Sequence, residues 1–143
     1  FIIATPETRF IEVFARRGLV VDFSGSWILP RIIGVQKAKE LMMTASEING
    51  SILNDYGVLY KLVEKSDLDS ELENLVTLLD KQSFISICMI KDQIRKGLNT
   101  NFDESLSNET DNQNSRFVHS DVMEGMSAFV EKRQPEYKNT LDE

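Results

Sequence analysis

Arg9-Phe10-Ile11-Glu12-Val13-Phe14-Ala15-Arg16-Arg17-Gly18-Leu19-Val20-Val21-Asp22-Phe23-Ser24-Gly25-Ser26-Trp27-Ile28-Leu29-Pro30-Arg31-Ile32-Ile33-Gly34 carries the reading of this chain. Its first five residues alternate polar and apolar, which predicts a short half-buried strand. Gly18 to Asp22 is an apolar run that ends on a carboxylate. Ser24-Gly25-Ser26 offers N-cap chemistry for a short helix around Trp27 to Ile33, closed by Gly34. Pro30 falls in the first turns of that helix, where a missing N–H costs least. On cap statistics alone, Asp22 reads as a cap for the Trp27 helix.

Outward from this stretch, Phe1 to Ala4 reads as the end of a buried strand and Thr5-Pro6-Glu7 as a turn. Downstream, Val35, Ala38, Leu41 and Met42 share one helical face over about ten residues. Ile48 sits in a strand of two or three residues, Ser51 to Tyr56 form a helical turn ending at Gly57, and Val58 to Val63 alternate as a strand. After Glu64 the character changes. Leu72, Leu75, Val76 and Leu79 form a helical stripe with Ser66 and Asp67 upstream as start signals. Phe84, Ile87, Ile90, Ile94 and Leu98 form a second stripe. Residues 107–115 are polar enough for a loop; a long solvated helix carrying Glu109 is the competing reading. Asp121-Val122-Met123-Glu124 resembles a capping box for a helix to about Lys132, with Val122, Met126 and Phe129 on one face and Pro135 beyond it. The predicted organisation is a mixed α/β segment over residues 1–65 and an all-helical one over 66–143.

Composition bounds the function. At 143 residues the chain is at most one domain, long enough to bury a core. Hydrophobic residues at 41% and charged residues at 27% are ordinary for a globular protein. A net charge of -7 argues against a nucleic-acid surface, because phosphate neutralisation needs clustered Lys and Arg. Here Arg16-Arg17 and Lys132-Arg133 are only pairs, and Arg16-Arg17 reads as a solvated strand end. The one cysteine, Cys88, lies in an apolar stretch and reads as a small core residue in a reducing cytoplasm. No run approaches the roughly 20 apolar residues that span a bilayer, so no membrane partner is expected. Phe1-Ile2-Ile3-Ala4 lacks the flank and length of a signal peptide. It also enters an apolar run without an initiator Met, as a strand cut in its middle would, so a fragment is expected.

Three stretches together resemble the crotonase superfamily, the enoyl-CoA hydratases and isomerases. Phe10 through Gly34 is similar to a pattern of Phe, a spacer, Gly-Leu-x-Pro-Asp, Gly-Gly, then Leu-Pro-Arg and Gly. Ala38-Lys39-Glu40-Leu41-Met42-Met43-Thr44, followed by Ile48 and Gly57-Val58-Leu59, is the second. Glu124-Gly125-Met126-Ser127-Ala128-Phe129-Val130-Glu131-Lys132-Arg133-Gln134-Pro135 is similar to the family's C-terminal Glu-Gly-x-x-Ala-Phe-x-Glu-Lys-Arg-x-Pro. The order and spacing of all three over the whole chain carry the resemblance. It implies an α/β fold: the C-terminal part of a crotonase-like ββα spiral core, then an all-helical C-terminal subdomain for subunit contacts and coenzyme A cover. It also implies that an N-terminal half, with most of the spiral core and the oxyanion hole, is missing.

The implied chemistry polarises a thioester carbonyl so that charge develops on its oxygen as an enolate. Preorganised backbone N–H groups stabilise such an oxyanion by roughly 2.7–4 kcal/mol per donor. Carboxylates then move protons at the neighbouring carbons. A hydratase of the usual type carries two glutamates, and the second position matches Phe14, which transfers no proton. Asp22 matches the acid that ends the Gly-Leu run in the isomerase branches. A single base there takes a proton from C2 and returns it at C4. Burial among Val20, Val21 and Phe23 would raise its pKa, while the adjacent helix start would lower it. Val21 replaces the pattern's Pro, and Phe23-Ser24 replaces a small residue and Gly.

Phe129 and Lys132 match positions that approach the adenine and phosphates of coenzyme A, a ring for stacking and a mobile ammonium for phosphate. The alternative is an ordinary amphipathic helix, Phe129 in the core and Lys132 solvated. No tightly bound cofactor is expected; coenzyme A enters as part of the substrate. Partners implied are the acyl-CoA and further copies in a trimer or hexamer. His119 is a surface or capping histidine, with no ligand set for a metal around it. Trp27 and Met42, Met43, Met89, Met123 and Met126 read as core or subunit-contact residues. Two functions compete: an acyl-CoA isomerase or hydratase, and a catalytically inactive binding or oligomerisation module. An unrelated helical interaction protein is a third, disfavoured by the tail and the Leu-Pro-Arg segment.

Overall fold

The structure, a computed structural model, describes residues 1–138. Its two compact units are Phe1–Asn74 and Leu75–Glu143.

In the first unit, β1 (Ile3–Ala4) pairs in parallel with β4 (Lys61–Leu62), and β2 (Arg9–Ile11) pairs antiparallel with β3 (Glu47–Asn49). The alternating stretch from Val58 yields only a two-residue strand, because its partner β1 is equally short. Phe1 and Ile2 stay exposed, and the Phe1 ring meets Tyr60 edge-on at 5.0 Å. β2 ends where a 3-10 helix, Val13–Arg17, begins; Gly18 closes it at φ 69, a left-handed conformation that glycine adopts without a Cβ penalty. Arg16 and Arg17 therefore end a 3-10 turn rather than a strand, and both are exposed.

The core of this unit lies between α1 (Gly25–Ile33) and α2 (Val35–Thr44). Leu29 and Ile33 are four apart on α1, and Ala38 and Leu41 are three apart on α2, so each pair shares a face. Together they form one buried cluster against which Phe10, Met42, Ile48, Tyr56 and Val58 pack. Burying each large aliphatic side chain contributes about 2 kcal/mol. α1 starts two residues before the expected position, so Pro30 is its sixth residue and lies in the interior, not the first turn. The Arg31 guanidinium donates to the Trp27 carbonyl at 2.8 Å and lies 3.8 Å over the Trp27 ring. α3 (Gly50–Asp55) follows β3 directly and is capped by Asn49, whose side chain accepts from the Ile52 N–H at 3.0 Å.

The switch to all-helical structure comes at a 3-10 turn, Lys65–Asp67, which leads into α4 (Leu68–Asp80); the compact units divide inside α4. The second unit holds α5 (Phe84–Gly97), α6 (Phe102–Arg116) and α7 (Ser120–Glu131). The polar stretch 107–115 is helix, not loop. Asn101 accepts from the Glu104 N–H at 2.9 Å, Asp103 and Glu104 fill the first turn, and Arg116 stands in the last. Those charges oppose the helix dipole at both ends, which a chain this polar needs. α6 offers α5 little apolar surface in return. Cys88 on α5 is accordingly exposed among the described residues, contrary to its expected place in the core.

The capping box expected at Asp121 does not form. α7 starts at Ser120 with His119 at its cap, and no side chain bonds the cap. The Asp121 carboxylate instead accepts from the Ser83 hydroxyl and, at 3.2 Å, from the Arg116 guanidinium. Arg116 is only 7% exposed, and a buried charge without a counter-charge costs far more than a missing cap. Among the described residues no helix is long and apolar enough to cross a membrane.

Candidate functional site

Asp22 stands on the loop between the 3-10 turn and α1. The loop is held by its backbone: the Leu19 N–H donates to the Phe14 carbonyl at 3.0 Å, and the Gly25 N–H donates to the Asp22 carbonyl at 2.8 Å. Asp22 does not cap α1. Ser24 occupies the cap position, with φ 61, and its own side chain makes no cap bond. The apolar neighbours do not enclose the carboxylate either. Asp22 is exposed, and Val20 and Phe23 are 85% and 93% exposed. Asp22 is thus a carboxylate on an apolar surface loop.

Phe23 and Ser24 both adopt left-handed backbone, at φ 47 and φ 61. For residues with a Cβ this costs roughly 1–2 kcal/mol each. It explains why the pattern Ser24 departs from has glycine there. Ser24→Gly is expected to stabilise the protein by about 0.5–1 kcal/mol, since no cap bond is lost. A denaturant midpoint that stays level or falls would show that the loop is not strained.

A second carboxylate escaped the reading by motif. Glu12 follows β2 in phase with Phe10, which packs on the core, so the two-residue period already placed a charge on the apolar face. Glu12 is half-buried, and its Oε2 is buried without a hydrogen-bond partner among the described residues. Burial first, and then the charge of Asp22, push the Glu12 carboxyl above its ordinary range. Phe14, two residues on, is half-buried and supplies no titratable group.

Phe129 and Lys132 belong to the second unit, at the end of α7. Phe129 is 81% exposed, so it is not a core residue in this structure. Lys132 caps the helix in left-handed backbone, φ 56, and its N–H donates to the Phe129 carbonyl at 3.3 Å. That turn sends the chain back along α7. Both Glu124 oxygens accept from Arg133, at 2.5 and 2.9 Å, and Oε1 also accepts from the Glu136 N–H at 2.8 Å. These bonds hold the Glu124 carboxyl down at about 2. The clamp therefore acts fully above the ordinary carboxylate range and is lost as pH falls through about 2. A Cβ on Gly125 would lie 3.0 Å from the Tyr137 hydroxyl. Glu124, Gly125 and Arg133 in the tail motif are thus explained by this chain reversal. Phe129 and Lys132 are left exposed by it. The lone histidine, His119, is half-buried at the start of α7.

Residues 1–140 match the enoyl-CoA hydratase/isomerase family. A trans-2-decenoyl-[acyl-carrier-protein] isomerase of Streptococcus mutans is 33% identical over 137 residues, which cover 96% of this chain and 52% of the relative. A 1,2-epoxyphenylacetyl-CoA isomerase of Escherichia coli is 28% identical over 95% of this chain and 52% of its own length. The crystal structure of an enoyl-CoA hydratase from Bacillus anthracis superposes with a TM-score of 0.90 at 26% identity, covering 96% of this chain and 54% of that one. The chain spans about half the length of the curated relatives it matches.

Proposed function

From the premise that the chain belongs to the enoyl-CoA hydratase/isomerase family and forms the C-terminal part of the crotonase fold, we propose that the whole protein shifts a double bond along an acyl thioester, with Asp22 as the base. One observation carries this reading: Asp22 is a carboxylate on an exposed apolar loop, while the second position of a two-glutamate hydratase holds Phe14. Isomerisation needs only one proton carrier. The C–H bond at C2 breaks, the proton moves to the Asp22 carboxylate, and the electron pair spreads onto the thioester oxygen. The same proton then returns at C4. The oxyanion donors are assigned to the half of the relatives' length that this chain does not span. Leu19, Val20 and Phe23, all exposed around Asp22, suit an apolar acyl chain.

Coenzyme A is the carrier proposed, with the exposed Phe129 ring for adenine stacking and Lys132 for phosphate. Exposed Phe117, Val118, Met123, Met126 and Val130 in the second unit support subunit contacts in a trimer or hexamer. The test is an assay of the whole natural protein with 3-enoyl-CoA and with the matching acyl-carrier-protein thioester. Conversion to the 2-enoyl thioester without a gain of water mass is expected, faster with coenzyme A. A 3-hydroxyacyl product would overturn isomerisation, and preference for the protein carrier would overturn the carrier assignment.

A further inference from the structure

We propose that Glu124 and Arg133 are positioning residues for substrate binding: their ion pair holds the turn that sets Phe129 and Lys132 for the nucleotide end of the carrier. The proposal rests on coenzyme A being that carrier. α7 ends in a Schellman turn. The Arg133 N–H donates to the Ala128 carbonyl at 3.0 Å, and the Lys132 N–H donates to the Phe129 carbonyl at 3.3 Å. The left-handed position of such a turn usually holds glycine, and here it holds Lys132 at φ 56. The Lys132 side chain is exposed, so no packing compensates that backbone. A residue kept where glycine is easier needs a use for its side chain, and it needs the turn to be held from outside.

Glu124 and Arg133 hold it. Glu124 lies two turns before the helix end, and its Oε1 and Oε2 accept from Nη1 and Nη2 of Arg133 at 2.5 and 2.9 Å. That two-pronged geometry fixes the arginine in place as well as attracting it. Oε1 also accepts from the Glu136 N–H at 2.8 Å, which ties the main chain beyond the turn to the same carboxylate. Nε of Arg133 donates to Glu131 at 2.7 Å, so the bonds reach both sides of Lys132. Gly125 leaves room for the returning chain, since a Cβ there would lie 3.0 Å from the Tyr137 hydroxyl. Arg133 is thus engaged within the chain, whereas among the described residues no carboxylate holds the Lys132 ammonium. The adjacent cations have separate tasks: one fixes the turn, and the other meets phosphate as a mobile point charge. A turn already ordered loses less freedom on binding, so the clamp acts on affinity and not on the proton transfers.

In the whole natural protein, Glu124→Gln is expected to raise KM for 3-enoyl-CoA about 3- to 10-fold, the cost of ordering one or two freed side chains, with kcat unchanged. The same acyl group on pantetheine, which lacks the nucleotide, should show no change. Arg133→Gln should behave alike, and the double variant should be no worse than either. Arg133→Lys keeps the charge but not the fork, and should lie between. Calorimetric titration of free coenzyme A should show the same loss without turnover. A KM that rises equally for both thioesters marks a merely structural clamp and overturns the proposal. A coenzyme A KM that is unchanged or lower in Glu124→Gln does the same. Lys132→Gly separates this proposal from the carrier assignment. It removes both the ammonium and the left-handed strain, so the melting temperature should rise while KM for 3-enoyl-CoA rises too. A melting temperature that does not rise would mean that the turn is unstrained and needs no clamp. If Lys132→Gly raises that KM and Glu124→Gln does not, only this proposal falls. If Lys132→Gly leaves it unchanged, the coenzyme A contact at Lys132 falls and takes this proposal with it.

Discussion

Gly50→Ala is expected to unfold the protein or destabilise it by more than about 3 kcal/mol, beyond the usual range for one added methyl group. Gly50 is buried at the junction of β3 and α3, and its N–H donates to the Pro6 carbonyl at 3.2 Å. A Cβ there would lie 1.9 Å from the Thr5 carbonyl oxygen and 2.9 Å from its carbon. Those are main-chain atoms. They are fixed in turn by the Thr8 N–H, which donates to the same oxygen at 3.0 Å, and by the pairing of β1 with β4. A flexible side chain could step aside, but this turn cannot do so without breaking the strands on either side of it. Gly97→Ala is the control. Its Cβ would meet only the Ser105 hydroxyl at 3.4 Å, so the substitution should be neutral or stabilise α5 slightly. Denaturant midpoints for both variants decide the matter. A wild-type midpoint in Gly50→Ala would mean that the two backbone segments do not approach as described.

Gly50 also shows where sequence reasoning stops. Periodicity predicted β2, α2 and the stripes of α4 and α5, because each depends on residues a few positions apart. The pairs Leu29 with Ile33 and Ala38 with Leu41 are of that kind, and they form the core. The approach of Gly50 to Thr5 joins distant parts of the chain and leaves no local pattern. The same holds for Asp121. Locally it is a cap residue, but buried Arg116 and Ser83 claim its carboxylate, and their position is set by packing. Cys88 and Phe129 failed differently. An apolar stripe says which face of a helix avoids water, not what covers it, and among the described residues nothing covers either.

The site divides along the same line. Asp22 was legible as a candidate from the resemblance, since the motif fixes its place in the loop. Its surroundings were not, because the burial expected from Val20 and Phe23 depends on where those side chains lie. Glu12 lay outside every motif, although its phase with Phe10 was a usable signal. A charge in register with a core residue is either paired, strained or functional, and only the folded structure distinguishes these.

Asp22→Asn is expected to lower kcat for double-bond isomerisation by about 100- to 10,000-fold, the range over which a positioned general base contributes. Asparagine has nearly the same shape and cannot take a proton from carbon, so the change removes the proposed proton carrier and little else. The fold should not respond. Asp22 is exposed, and the bond that holds the loop uses its main-chain carbonyl, which accepts from Gly25 whatever the side chain. An unchanged melting temperature and an unchanged KM would therefore accompany the loss of kcat. Isomerisation has no second carboxylate to fall back on at Phe14. If Asp22→Asn kept kcat within a few-fold of wild type, the base would have to come from elsewhere in the whole protein. The apolar loop around Asp22 would then be a surface for covering the acyl chain, not the place where its protons move.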